Sequence, residues 1–198
     1  MSQKKDKAKI LFFRESVFRV ATLLFNYPNQ TFHIRSLEKK IGFSTTAVIS
    51  AVKELRDFQI VTVEETEITT NIRANLERQE YKFYKLIFNL YRLRRYGLVD
   101  NLADFFRNPE AIVMYGSFSR GEDVEKSDVD MLVITPLGLS AIEAITKSES
   151  FLKWVKIFEE EFNRKLDLKV LASLEKSSTD FKNSIANGIV LSGYVRVL

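Results

Sequence analysis

The stretch MYGSFSRGEDVEKSDVDMLVIT, residues 114–135, decides how the chain is read. It begins in an apolar run, Ala111 to Tyr115, with the composition of a strand, and that run breaks at the sharp turn Gly116-Ser117. Ten residues later Asp128-Val129-Asp130 opens a second apolar run, Val129 to Thr135. Side chains alternate faces along a strand, so Asp128 and Asp130 point the same way while Val129 turns to the core. Two like charges about 5 Å apart, at an effective dielectric near 20, repel by roughly 3 kcal/mol. Such a pair persists where a cation sits between its members or where protonation relieves it. No Lys or Arg stands within the Asp-Val-Asp step, and magnesium is the economical counter-ion.

Further along, Phe151, Leu152, Val155, Phe158 and Phe162 recur at helical spacing over Ser150 to Asn163. Leu166 to Leu171 reads as a third strand, residues 178–187 as another helix, and Val190 to Leu198 as a closing extended segment. This alternation describes an α/β domain over residues 108–198, with Asn108-Pro109 as its boundary. If the third strand runs antiparallel beside the second, its Asp167 joins Asp128 and Asp130. Three carboxylates around two divalent ions, Mg2+ or Mn2+, suit in-line phosphoryl transfer from a nucleoside triphosphate. Gly116 has no side chain to block a phosphate, and Ser117, at a helix start, offers amides and a hydroxyl. Arg120 stands where it adds positive charge. The plainer alternatives pair Asp167 with Lys165 or Lys169, and Arg120 with Glu122 or Asp123. Glu122, Asp123 and Glu125 read as a solvated loop.

A hydrophobic strand, Gly-Ser, ten residues, Asp-x-Asp in a second strand and a later Asp in a third: this pattern resembles the DNA polymerase beta-like nucleotidyltransferase superfamily. The spacing and size are most similar to its minimal members, some of which are antitoxins that adenylylate a partner toxin. The resemblance implies a mixed sheet flanked by helices. By position it implies that Gly116 and Ser117 hold the nucleotide phosphates with help from Arg120. It implies further that Asp128 and Asp130 bind both metals, and that Asp167 completes one metal site and acts as general base. The chain departs from larger relatives in ending soon after the core, so a macromolecular acceptor fits better than a small drug-like one.

On the N-terminal side, Val17, Val20, Ala21, Leu23, Leu24 and Phe25 recur at helical spacing from Glu15 to Asn26, where Pro28 stops the run. Ile34 to Ile41 fits a short helix with Gly42 as its C-terminal punctuation. Ser44 then caps a third helix with an apolar stripe Val48, Ala51, Val52, Leu55. Two β-type runs follow, Ile60 to Val63 and Ile68 to Ile72, as a short hairpin. The segment FHIRSLEKKIGFSTTAVISAVKELRDFQIVT resembles the winged helix-turn-helix of prokaryotic transcriptional regulators, over residues 10–75. That resemblance implies DNA binding. Ser44, Thr45 and Thr46 at the start of the third helix, with Ser50 and Lys53 on its outer face, are the candidate contacts. The acidic Glu64, Glu65 and Glu67 of the wing, and Asp57, count against DNA. Helices over Leu76 to Arg95 and Leu98 to Phe106 read as a connector, residues 76–107.

Composition narrows the chemistry. With no cysteine, thiolate zinc sites are excluded, and one histidine, His33, is too few for a zinc hydrolase, which leaves oxygen ligands for any metal. Of 198 residues, 45% are hydrophobic and 28% charged, a globular balance. The net charge of +4 is unevenly spread. Residues 1–100 carry 18 basic against 11 acidic side chains, and residues 101–198 carry 12 against 15. A basic half joined to a mildly acidic one suits a polyanion-binding module attached to something else. The apolar run behind Lys4, Lys5, Lys7 and Lys9 is too short for a signal peptide or a span, so the cytoplasm is the expected compartment.

The whole therefore reads as a two-domain α+β and α/β protein. A DNA-binding winged helix precedes a metal-dependent nucleotidyltransferase that moves AMP from ATP, or another nucleotide, onto a protein such as a toxin-like partner or another macromolecule. A palindromic DNA site would make it a homodimer. The alternative is a transcriptional regulator whose nucleotidyltransferase fold only senses nucleotide or is inactive.

Overall fold

The structure, a computed structural model, describes residues 14–67 and 69–195. The basic residues Lys4 to Lys9, the first residues of the expected winged helix, Ile68 and the last three residues of the expected closing segment lie outside the described residues. The chain forms two compact units, divided between Tyr81 and Lys82.

The first unit begins with α1 (Glu15–Asn26), which buries Val17, Val20, Ala21, Leu24 and Phe25 and stops ahead of Pro28. The two-residue strand β1 (Phe32–His33) follows, a pairing too short to leave a period-2 signature in sequence. In α2 (Ile34–Ile41), His33 and Ser36 cap the start, since His33 N–H donates to Ser36 Oγ at 3.1 Å and Ser36 Oγ donates to His33 O at 2.8 Å. Gly42 ends α2 in the left-handed conformation, with its N–H on Glu38 O. Ser44 accepts from Ala47 N–H at the head of α3 (Thr45–Asp57), and the stripe Val48, Ala51, Val52, Leu55 is buried as its spacing requires. Strands β2 (Val61–Glu65) and β3 (Thr70–Ala74) make the hairpin, and β1 pairs with β3, giving an antiparallel sheet of order β1-β3-β2. Phe32, Ile72 and Val61 turn from that sheet into the same core.

The long helix α4 (Gln79–Arg95) crosses the division, and from Lys82 onward belongs to the second unit. Next come α5 (Leu98–Phe105), β4 (Ala111–Met114), a single 3-10 turn at Phe118–Arg120, and β5 (Val129–Ile134). Then follow α6 (Leu139–Thr146), α7 (Glu149–Phe162), β6 (Leu166–Leu171), α8 (Thr179–Ala186) and β7 (Ile189–Gly193). The sheet order is β6-β5-β4-β7, with β4 antiparallel to both neighbours and β6 parallel to β5. It is a mixed sheet with helices on both faces.

Its central strands are apolar on both faces, as strands covered twice must be. On one face Ile112, Met114, Val129, Met131 and Val133 pack with Leu93, Leu98, Leu102, Phe106, Phe151, Phe158 and Phe162. On the other, Ala111, Val113, Tyr115, Leu132 and Ile134 pack with Ile185 and Phe181 of α8. The core of this unit thus recruits Leu93 from α4 and Leu98 and Leu102 from α5.

Two expectations change. Asp167 does stand beside Asp130, but on a parallel strand, not an antiparallel one. The connection from Ile134 to Leu166 holds α6 and α7, and a helical crossover of that length returns a strand parallel. In addition, α6 itself has no counterpart in the sequence reading. Among its residues only Ile142 is buried, while Leu139 is 83% exposed, so its apolar residues do not mark a core face.

Candidate active site

The site gathers where β4 ends and β5 and β6 begin. Because β5 and β6 run parallel in register, Asp130 lies directly across from Asp167, on strands spaced about 4.8 Å apart. Alternation puts Asp130, Leu132 and Ile134 on the α8 face, and Asp128, just ahead of β5, shares that parity. Asp128 and Asp167 are exposed, whereas Asp130 is half-buried.

Gly116 adjoins this group on the β4 side. Its φ of +70° is a conformation that L side chains rarely adopt, and a Cβ there would fall 2.0 Å from Asp130 Oδ2. The preceding Tyr115 N–H donates to Asp130 O at 3.1 Å, which fixes the turn to the strand. Ser117 starts the 3-10 turn, and its carbonyl accepts from Arg120 and Glu122 N–H. Ser119 Oγ donates to Gly116 O at 2.9 Å. The expected helix start at Ser117 is therefore one 3-10 turn, closed by Gly121, and not an α-helix.

Burial pushes the Asp130 carboxyl above the usual carboxylate range, and the negative charges of Asp167 and Asp128 add to that push. Lys169 and Arg120 oppose it. The three Asp side chains therefore interact electrostatically around Asp130, although among the described residues no three acidic or imidazole groups converge as a ready-made metal cage. The donor set itself fits a hard divalent cation, which takes oxygen ligands and neutralises clustered carboxylates. The missing Cβ of Gly116 lets the Asp130 carboxylate lie directly against the turn.

Tyr115, 5% exposed, packs edge-on against Phe181 with ring centroids 5.6 Å apart. Its hydroxyl is buried without a partner among the described residues, and burial, then Asp167 and Asp130, raise its ionisation well above the tyrosine norm. It is a phenol held protonated beside two carboxylates. The Lys169 ammonium lies 4.6 Å from the Phe181 ring centroid, on the Asp167 face of β6.

Arg120 does not face the carboxylates as a free cation. Its Nε donates to Glu122 Oε2 at 2.8 Å, while Lys82 Nζ donates to Glu122 Oε1 at 2.8 Å. Those two hydrogen bonds hold the Glu122 carboxyl below the usual range. Asp123, expected in a solvated loop, is instead 3% exposed and paired with Lys85, itself fully buried. Burial pulls the Lys85 ammonium below the ordinary lysine value, and the Asp123 carboxylate pushes it back up. The sequence signal was available: Lys82, Lys85 and Asn89 stand at i, i+3 and i+7 on a helix otherwise rich in aromatics.

The N-terminal candidates sit apart from these groups in kind. Thr45, Thr46 and Lys53 are exposed on α3, and Ser44 is committed to its cap. Ser50 is half-buried and accepts from Arg14 Nη2 at 3.1 Å, and Arg14 also pairs with Glu54. A groove runs between α3 and the hairpin, with Ile49, Lys53 and Arg56 on one side and Val63, Glu65 and Thr70 on the other. Ile49 and Arg56 were not among the candidates read from sequence, yet Ile49 is 52% exposed.

Residues 97–191 match the family model of the nucleotidyltransferase domain. The match supports a nucleotidyltransferase fold for this part of the chain and, at the general level, a transferase activity on a nucleoside triphosphate. It spans α5 to β7 and includes Gly116, Ser117, Arg120, Asp128, Asp130 and Asp167. No curated protein and no solved structure matches the chain. No described helix is long and apolar enough to cross a membrane.

Proposed function

We propose that the C-terminal unit moves a nucleoside monophosphate, AMP from ATP, onto a protein or other macromolecular acceptor, with Mg2+ or Mn2+ as cofactor. The observation that carries this reading is the in-register pair Asp130 and Asp167, with Gly116 closed against Asp130. Burial, then the charges of Asp167 and Asp128, raise the proton affinity of Asp130, and the cluster serves no packing purpose, so a cationic ligand is what justifies it. Asp128, Asp130 and Asp167 would hold the metal, which when bound neutralises the triphosphate and the departing pyrophosphate.

In this reading the Gly116-Ser117 turn receives the phosphates, with the Ser117 amide and hydroxyl as donors. An acceptor hydroxyl attacks the α-phosphorus. The bond to pyrophosphate breaks, and the proton of the acceptor passes to the Asp167 carboxylate. Arg120 must leave or share Glu122 to reach a phosphate.

The N-terminal unit, in the same proposal, is a winged helix-turn-helix with α3 as the recognition helix and β2-β3 as the wing. Three helices, a hairpin and the added strand β1 support that reading, as does the exposed start of α3. Thr45, Thr46 and Lys53 would contact DNA there, with Ser44 setting the helix start. Ser50 would have to give up Arg14 to join them.

A second reading, nucleotide sensing without transfer, is favoured by the Arg120–Glu122 pair, in which the guanidinium is already engaged by a carboxylate. Pyrophosphate release separates the two. A transferase given ATP, Mg2+ and its acceptor releases pyrophosphate, and Asp128→Asn stops it. A sensor binds ATP and releases none.

A further inference from the structure

Lys82, Lys85, Asn89 and Arg92 form a polar stripe along one side of α4, outside the residues that match the nucleotidyltransferase domain. Lys85 is 0% and Asn89 1% exposed. The Lys85 ammonium donates to the backbone carbonyl of Asp123 and lies 3.2 Å from its carboxylate. Asn89 Nδ2 donates to Asp123 Oδ1 at 2.7 Å and to Phe118 O at 3.2 Å. Gly121 packs so closely on the helix that a Cβ would stand 2.1 Å from Lys82 O. At the first turn, Lys82 holds Glu122, whose other oxygen holds Arg120. At the last turn, Arg92 donates to Phe162 O, and its guanidinium lies 3.8 Å from the Phe162 ring centroid. Phe162 ends α7, and β6 with Asp167 begins four residues later.

The loop so gripped is the one between Gly116-Ser117 and Asp128. Burying a lysine and an aspartate costs desolvation that apolar residues of the same size avoid, so the pair contributes little net stability. What it contributes is a single geometry, because Lys85 also donates to the Asp123 carbonyl, and Asn89, which donates to the Asp123 carboxylate, also donates to Phe118 O.

We propose that α4 is the positioning element of the nucleotide site. Lys85 and Asn89 lock the 116–128 loop so that the Gly-Ser turn and Asp128 stay in register. Lys82 holds one oxygen of Glu122 and so competes with Arg120 for that carboxylate, and Arg92 anchors the segment that leads into Asp167. That the site takes a nucleotide rests on the proposed function, whereas the locking of the loop does not.

The test uses the full chain with Lys85→Met, Asn89→Leu and Lys82→Gln. The double variant Lys85→Met/Asp123→Leu removes the pair without stranding a charge, should Lys85→Met alone not fold. Two readouts are taken where circular dichroism matches the parent: amide hydrogen exchange over residues 116–128, and KM for ATP against kcat. Loss of a supporting partner at a ligand site costs about 10–100-fold. Lys85→Met and Asn89→Leu are therefore expected to speed exchange in the loop about tenfold or more, and to raise KM by a similar factor with a smaller change in kcat. Lys82→Gln breaks a partly exposed pair and is expected to raise KM only about twofold to fivefold, with exchange unchanged. Parental exchange rates in folded Lys85→Met or Asn89→Leu overturn the proposal, whatever the activity of the parent. Faster exchange with an unchanged KM overturns it too, since the loop position would then not matter to ATP. A parent that neither binds nor turns over ATP defeats the proposed function, and the exchange rates still decide the lock.

Discussion

In the first unit the described interior is apolar almost throughout: Val17, Leu24, Phe32, Leu37, Val48, Leu55, Ile60 and Ile72 meet there, and Ser16 is the one polar residue classed as buried. In the second unit Lys85, Asn89, Ser119, Asp123, Thr135 and Arg164 are all buried among the described residues. Burying a polar group costs free energy unless something fixed receives it. Lys85, Asn89, Ser119 and Asp123 accept that cost around the loop that links Gly116 to Asp128, while Thr135 lies past the far end of β5. The first unit accepts it almost nowhere, so whatever it binds must be met by its surface. The second unit thus buries polar groups beside its candidate site, where Asp128 and Asp167 remain exposed, and the first unit carries its candidate contacts on its surface.

This contrast can be broken most forcefully at Asp130. Asp130→Asn is expected to lower nucleotide transfer by about 10³-fold, because metal-assisted charge stabilisation is worth several kcal/mol and each 1.36 kcal/mol is tenfold. In metal-free protein the same substitution is expected to raise the melting temperature. The folded-state carboxyl titrates above its ordinary range, so its ionised form opposes folding at neutral pH. That opposition fades as pH falls through the raised value toward the ordinary one, and the variant, which cannot ionise, never has it. Calorimetry with and without Mg2+ checks both signs, since only the parent should be stabilised by the metal.

Gly116→Ala comes next. The left-handed backbone costs an alanine about 1–2 kcal/mol, and the methyl also collides with Asp130. Transfer should fall about 10²-fold, as for a lost oxyanion donor, while DNA affinity stays parental. Ser44→Ala is expected to remove about 1 kcal/mol from the stability of the first unit by uncapping α3, which chemical denaturation would show, and to leave transfer intact. The smallest effect is expected from Lys53→Ala. Its loss should weaken DNA binding modestly and reduce the slope of log affinity against log salt by about 1 in gel shifts. A transfer defect in Lys53→Ala, or a DNA defect in Gly116→Ala, would break the separation between the two units.

How far the sequence alone carried the reading differs between these regions for physical reasons. The first three helices declare their bounds through Pro28, Gly42 and Ser44, which act locally, and the stripe Val48 to Leu55 is buried as its spacing requires. Strand β1 was invisible because two residues carry no alternation. The Gly-Ser turn and the Asp-x-Asp strand were legible because turn chemistry and alternation are local too. The partner of Asp130 was legible in identity but not in direction, which a helical crossover fixes through α6 and α7. Asp123 was misread because its partner, Lys85, is 38 residues away: the spacing of Lys82, Lys85 and Asn89 marks a polar side of α4, but only tertiary packing brings Asp123 to it. Tyr115 escaped for the same reason, and Lys169, read from sequence only as an alternative partner of Asp167, gains its contact with Phe181 from the fold.

The central claim is that the carboxylates at the start of β5 perform metal-dependent nucleotide transfer. It is tested most directly by incubating the full chain with α-labelled ATP, Mg2+ or Mn2+ and a lysate of its own source, beside Asp128→Asn/Asp130→Asn. The expected result is label on a discrete acceptor, dependent on the metal and absent with the double variant. Equal labelling by the parent and the variant, or ATP bound by the parent with no label transferred from any nucleotide tried, would contradict it.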